Sequence, residues 1–118
     1  MIVKKGEVYY ADLNPIIGCE QGGCRPVIIV QNNTGNLYSP TTIVPVTARK
    51  RKKALPTHIK VKGAGLPKKS IALLEQLRTI DKSRLREKIG EITRTSLNKI
   101  DKGLLISLGC FEDRRFKK

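Results

Sequence analysis

The sequence predicts a mainly β protein of the α+β type: a small, strongly twisted antiparallel barrel with one C-terminal helix. Three observations carry this prediction. Short β-branched runs alternate with Gly-, Pro- and Asn-rich breaks over the first two-thirds of the chain. The apolar period then switches to a helical one from Thr95 onward. The chain has 118 residues, a length that fits one domain able to bury about two-thirds of its unfolded surface.

Taken in order, EVYYADL (7–13) reads as the first strand, with aromatic and β-branched residues following Gly6. NPIIGCEQGGC (14–24) cannot extend it, because Pro15, Gly18, Gly22 and Gly23 interrupt the pattern. Loops of that length are often functional. RPVIIVQ (25–31) carries a continuous β-branched run that suits a strand buried on both faces. NNTGNLYSP (32–40) reads as a second loop and TTIVPVT (41–47) as a third strand, with Pro45 implying an edge position or a bulge. Short strands are expected at 57–62, 70–75, 77–80 and 88–92. Leu97, Ile100, Leu104, Leu105 and Leu108 form the helical apolar face, Thr93 or Thr95 caps its start, and Gly109 marks its stop. One domain over 1–112 with a basic tail at 113–118 accounts for the chain.

Charge is distributed unevenly. Lys and Arg number 24 against 10 Asp and Glu, a formal net charge of +14. Residues 1–47 hold three basic and three acidic residues, whereas 48–118 hold 21 and 7 and so carry the whole excess. Such an excess points to a polyanion, because phosphates neutralised by Lys and Arg release counterions. An anionic membrane surface is the competing partner, yet the longest obvious apolar run is Val27–Val30, far too short for a span. The N-terminus has charge without an apolar stretch behind it, so a signal peptide is not expected. Cys19, Cys24 and Cys110 lack a metal-site spacing. They are read as reduced thiols of a cytoplasmic protein, a Cys19–Cys24 disulfide being the alternative.

Chemistry must then come from few side chains. His58 is the only histidine, which excludes a paired-histidine ribonuclease site, and it reads as a strand residue without catalytic duty. The carboxylates show no metal-binding spacing, and neither a phosphate-binding P-loop nor a GxSxG elbow is present. No metal and no cofactor are expected. Arg, Thr or Ser, Glu and Gln remain.

Gly18-Cys19-Glu20-Gln21-Gly22-Gly23-Cys24-Arg25-Pro26, placed after GEVYYADL, resembles the signature of the MazF/PemK toxins, the mRNA interferases. The likeness continues in one order through VIIVQNNTGN, SPTTIVPVT, LPTH and LLEQLRTID into the C-terminal helix, and is nearer the Gram-positive branch. It implies a CcdB/PemK-like, SH3-like barrel that forms a homodimer and is neutralised by an acidic MazE-like antitoxin. It further implies metal-independent cleavage of single-stranded RNA to 2′,3′-cyclic phosphate and 5′-hydroxyl ends.

The family's catalytic arginine and threonine fall on Arg25 and Thr47. A guanidinium offers forked donors to the oxygens that gain charge when a ribose 2′-hydroxyl attacks its phosphate. Glu20 and Gln21 in the loop, with Glu75 and Gln76 in LLEQLRT, are the expected base readers, since single-stranded RNA exposes its base edges. Leu55, Pro56 and Arg planes would supply packing where aromatic residues are scarce. Arg49, Lys50 and Arg51 open a five-cation run that suits a sequence-independent phosphate rail. Two other functions fit parts of the pattern: a gyrase poison of the same fold without nuclease activity, and a non-catalytic basic RNA-binding barrel.

Overall fold

The computed structural model describes residues 2–14, 23–49 and 55–110. Seven strands appear in it: β1 (Glu7–Asp12), β2 (Cys24–Ile29), β3 (Thr41–Thr47), β4 (His58–Val61), β5 (Ser70–Leu73), β6 (Arg78–Ile80) and β7 (Leu85–Glu91). Two helices join them, α1 (Asn33–Tyr38) and α2 (Arg94–Ser107). The strands pair antiparallel in the order β4-β5-β3-β2-β1-β7, with β6 on β3.

The mainly β fold with a C-terminal helix is as expected, but the strand path is open: β4 and β7 end it without pairing. The two ends meet instead through a loop. Gly65, just after β4, lies so close to β7 that a Cβ there would stand 1.8 Å from the Ile89 carbonyl oxygen, and one on Gly90 would stand 2.3 Å from that of Ala64. Gly65 also has φ +79°, which disfavours any L side chain. Two glycines allow this backbone contact where hydrogen-bonded strands would close a barrel.

β2 is buried on both faces, as its unbroken apolar run requires. Val27 and Ile29 join Tyr9, Ala11, Leu13, Ile43, Ile80 and Leu85 on one side. Ile28 and Val30 join Val8, Val44, Val46, Ala72, Leu74 and Ile100 on the other. Helix α2 covers that second cluster. Thr93 caps it, its Oγ1 accepting from the Ser96 N–H at 3.1 Å, and Leu97 and Ile100 are buried. The buried stripe then continues through Gly103, while Leu105 and Leu108 stay exposed. A Cβ on Gly103 would approach Leu74 Cδ1 to 2.3 Å, so the missing side chain sets how closely α2 seats against Leu74–Gln76.

Two expectations need correction. β3 is an inner strand, and Pro45 sits neither at a sheet edge nor at a bulge. β3 pairs with β6 through Thr41–Ile43 and with β5 through Val46–Thr47, so the residue without an N–H lies where the partner changes. The segment read as a loop at 32–40 contains α1. Asn32 Oδ1 caps it by accepting from the Gly35 N–H at 2.8 Å. Asn36 anchors it from inside, its amide donating to the Gln31 carbonyl at 3.1 Å and its Oδ1 accepting from the Thr41 hydroxyl at 2.7 Å.

Candidate RNA-cleavage site

Strand register places Arg25 and Thr47 on one face of the sheet. β2 and β3 are matched at Ile29↔Ile43, Ile28↔Val44 and Val27↔Pro45. The pairs end there, and Arg25 and Thr47 each lie two residues beyond the Val27↔Pro45 rung. Side chains alternate along a strand, so both share the face of Val27 and Ile43. Arg25 is half-buried, and its backbone is held from the other side by pairing with Ala11. Thr47 is 3% exposed. Its Oγ1 accepts from the Arg49 N–H at 3.1 Å, which leaves its own proton undonated among the described residues.

The face extends across the sheet. Thr47 pairs with Ile71, and Ile71 pairs with Lys60. Leu73, two residues along β5, pairs with His58. Directly paired residues point to the same side, so Arg25, Thr47, His58 and Lys60 line one surface drawn from β2, β3 and β4.

His58 is organised by its neighbours. Its Nδ1 accepts from the Leu55 N–H at 3.3 Å, and a backbone N–H can only donate. Nδ1 is therefore bare, and the ring proton of the neutral form sits on Nε2. That nitrogen donates to Glu75 Oε2 at 3.0 Å. The other carboxylate oxygen of Glu75 accepts from the Thr57 hydroxyl at 3.0 Å, and the Leu74 N–H donates to the Thr57 carbonyl at 3.0 Å. The Leu55–Pro56 turn, Thr57, His58 and Glu75 thus form one connected group. Sequence reasoning named Leu55, Pro56 and Glu75 but took His58 for a plain strand residue and missed Thr57. The available signal was LPTH standing in the same chain as LLEQLRT.

A second device sits where β1 ends and β2 begins. Arg84 Nη1 donates to the Asp12 carbonyl at 3.2 Å and to that of Asn14. Arg78 Nη1 donates to the carbonyl between them, Leu13, at 3.4 Å. Across the gap, the Gly23 N–H donates to Asn14 Oδ1 and the Leu13 N–H to the Gly23 carbonyl, both at 3.0 Å. Two guanidinium groups therefore hold the end of β1, and its bonds to Gly23 carry that hold to within two residues of Arg25. Neither arginine was singled out from the sequence, because nothing in RTIDKSR announces which carbonyls it meets.

Among the predicted site residues, Glu20, Gln21, Lys50 and Arg51 lie outside the described residues, as does Cys19. Arg49 is exposed next to the Thr47 strand end, and Gln76 is half-buried at the end of the turn that carries Glu75. Cys24 and Cys110 are free thiols. The described residues contain no group of three His, Cys, Asp or Glu placed to hold a metal ion.

Comparison with known proteins gives concordant results. Residues 4–108 match the model of a family described as PemK-like, MazF-like toxins of type II toxin–antitoxin systems. The chain is 50% identical over 115 residues to Endoribonuclease EndoA of Bacillus subtilis (strain 168), covering 95% of this chain and 99% of that one. Among solved structures it is similar to a mycobacterial endoribonuclease in complex with its cognate antitoxin, with a TM-score of 0.72 and 26% identity over 95% of this chain and 98% of that one. The fold is also that of MazF from Deinococcus radiodurans, with a TM-score of 0.78 and 23% identity over 92% of this chain and 98% of that one.

Proposed function

We propose a mechanism for a chain that belongs to the PemK-like, MazF-like toxins of type II toxin–antitoxin systems and is an endoribonuclease toxin of that family. It cuts single-stranded RNA in line. The ribose 2′-oxygen forms a bond to the adjacent phosphorus while the bond from phosphorus to the 5′-oxygen breaks. The 2′-proton leaves to solvent, and the departing 5′-oxygen takes up a proton. The ends are a 2′,3′-cyclic phosphate and a 5′-hydroxyl.

Arg25 stays a cation throughout, since a guanidinium is not deprotonated in proteins, and so serves as a stabiliser of developing charge. Its fork spans two phosphate oxygens, and the Thr47 hydroxyl, with its proton unspent, donates to a third position. No step requires a metal ion. Glu20, Gln21, Glu75 and Gln76 read bases, Leu55 and Pro56 pack against them, and Arg49, Lys50 and Arg51 hold the phosphate backbone. The active form is a homodimer, and an acidic antitoxin blocks the RNA surface. The cytoplasm, where mRNA is met, is the expected compartment, and no helix among the described residues is long and apolar enough to cross a membrane.

The observation that carries this reading is the shared face of Arg25, Thr47 and His58 in the register of β2, β3, β5 and β4. Incubating the purified protein with a long RNA in EDTA and sequencing the 5′-hydroxyl ends tests it. Arg25→Ala is expected to reduce cleavage by about 10²- to 10³-fold or more, the cost of removing a donor to developing charge, with RNA binding largely kept. Thr47→Val should lose activity that Thr47→Ser retains. Cleavage at the normal rate by Arg25→Ala, or cleavage that appears only with Mg²⁺, would reject the mechanism.

A further inference from the structure

A groove of about 550 Å³ begins at Ala48, the residue after Thr47, and runs around the end of the β4–β5 hairpin toward α2. Ala48 stands at its near end and Ile71 forms part of its lining, while, among the described residues, Lys60, Lys62, Lys69 and Lys99 line it and no carboxylate does. All four lysines are exposed. None of them forms an ion pair or side-chain hydrogen bond with another described residue. Elsewhere lysines do find partners, Lys5 at 2.8 Å from Asp101 and Lys88 at 2.7 Å from Glu7. Four lysines around one space repel one another, and an anion entering that space relieves the repulsion.

We infer that this groove holds the phosphodiester backbone of the RNA flanking the cleaved bond, a subsite that supplies affinity without reading sequence. The inference rests on the endoribonuclease reading above. Three features favour RNA over an acidic peptide. First, the groove begins one residue from Thr47, and Ile71 and Lys60, which follow Thr47 across the sheet, both line it. Lys60 lies two strand spacings, about 10 Å, from Thr47, so a strand with one phosphate at Arg25 and Thr47 is carried directly toward it. Second, all four cations are lysines. An ammonium is a point charge on a flexible stem, suited to a phosphate whose orientation varies from one sequence to the next, whereas a planar carboxylate is matched best by arginine. Third, no aromatic residue among the described residues lines the groove, so the backbone is what remains there to be held.

The test compares the wild type with the K60Q/K62Q/K69Q/K99Q variant. Binding is measured by fluorescence anisotropy on labelled 2′-O-methyl RNAs of 6 and 20 nucleotides, which cannot be cleaved, over a series of NaCl concentrations. The wild type should bind the longer RNA more tightly. In the variant that length advantage should shrink about tenfold or more at physiological salt, and the slope of log affinity against log salt should flatten by about 2 to 3, near 0.7 for each lost phosphate contact. Thermal midpoints check that the variant folds, and the single substitutions K60Q and K99Q give the partial effects if it does not. A variant with unchanged length advantage and salt slope overturns the inference. So does one that keeps both and loses binding to a 20-residue polyglutamate, which would make the groove a peptide dock. Because these RNAs are not cleaved, an inactive wild type in the EDTA assay refutes the endoribonuclease reading separately.

Discussion

His58 Nε2 lies 3.0 Å from Glu75 Oε2, and the two residues meet at the open end of the β4–β5 hairpin, where β4 begins and β5 has just ended. The bond fixes the tautomer of the only histidine and occupies one oxygen of an expected base reader. Glu75 is therefore an oriented carboxylate, held also by Thr57. A double-mutant cycle with His58→Ala and Glu75→Ala should show a coupling of about 0.5–1 kcal/mol in unfolding free energy, the lower part of the range for contacting pairs because Glu75 is partly solvated. Each single variant should also alter which 5′-hydroxyl ends are produced. Additive stabilities together with an unchanged cleavage pattern would mean that the pair neither couples nor orients anything.

Arg84 is expected to act on cleavage through the backbone it holds. Arg84→Met removes donors to the Asp12 and Asn14 carbonyls, each such charged bond contributing about 1.5–3 kcal/mol at most and less where solvent reaches it. Arg25, further along the same hairpin, would then be held less firmly. Steady-state kinetics should show kcat falling more than KM rises, with Arg84→Lys recovering part of the loss through a single carbonyl. A fall in thermal midpoint with kcat unchanged would leave Arg84 a purely structural residue.

Gly103→Ala tests the seating of α2. Alanine raises helix propensity by about 1 kcal/mol, but its Cβ would meet Leu74 Cδ1 at 2.3 Å. Leu74 is fully buried and has little room to yield. Overpacking of about 1–3 kcal/mol should win, giving a lower denaturation midpoint and a shifted turn at Glu75. A more stable variant would show that Leu74 can repack freely.

Glu7 should shape the acid limb of stability. Burial raises its pKa, but hydrogen bonds from Lys88, from the Lys4 N–H and from Tyr9 outweigh this and set it below the ordinary value of 4.5. Lys88 is correspondingly raised by its bonds to Glu7 and Glu91. A carboxylate with a depressed folded pKa contributes stability that is fully present above its unfolded value and is lost as pH falls through the folded one. Urea titrations at steps between pH 6 and pH 3 should show that loss below about pH 4.5 in the wild type and a flatter profile in Glu7→Gln. Parallel profiles for the two proteins would remove Glu7 from the acid response.

Much of the fold was legible because it depends on local pattern. The β-branched run of β2 could only be a strand covered on both faces, and the step from period two to a helical spacing located α2. The ordered motifs around Arg25 and Thr47 marked them as the pair to examine, and the pairing of β2 and β3 puts them on one face. Pro45 was misread because an edge, a bulge and a change of partner all spare a strand the same missing N–H, and only the placement of β5 and β6 along β3 distinguishes them. α1 was hidden in NNTGNLY, whose Asn and Gly favour turns. It forms because Asn36 finds Gln31 and Thr41, contacts that exist only once β3 is in place.

What the sequence by itself determined is the class of fold, the family, the two residues proposed to carry the chemistry and the separation of a neutral first part from a basic remainder. Tertiary structure decided which residues surround that chemistry. Register turns Thr47, Ile71 and Lys60 into one rung, the β4–β5 pairing brings His58 to Glu75, and the placing of β6 and the turn after it aims Arg78 and Arg84 at the carbonyls of Asp12, Leu13 and Asn14. Each is a contact between residues far apart in sequence. Their side chains have no local pattern to reveal them, since hydrogen bonds of a few ångströms are fixed by strand pairing and not by spacing along the chain.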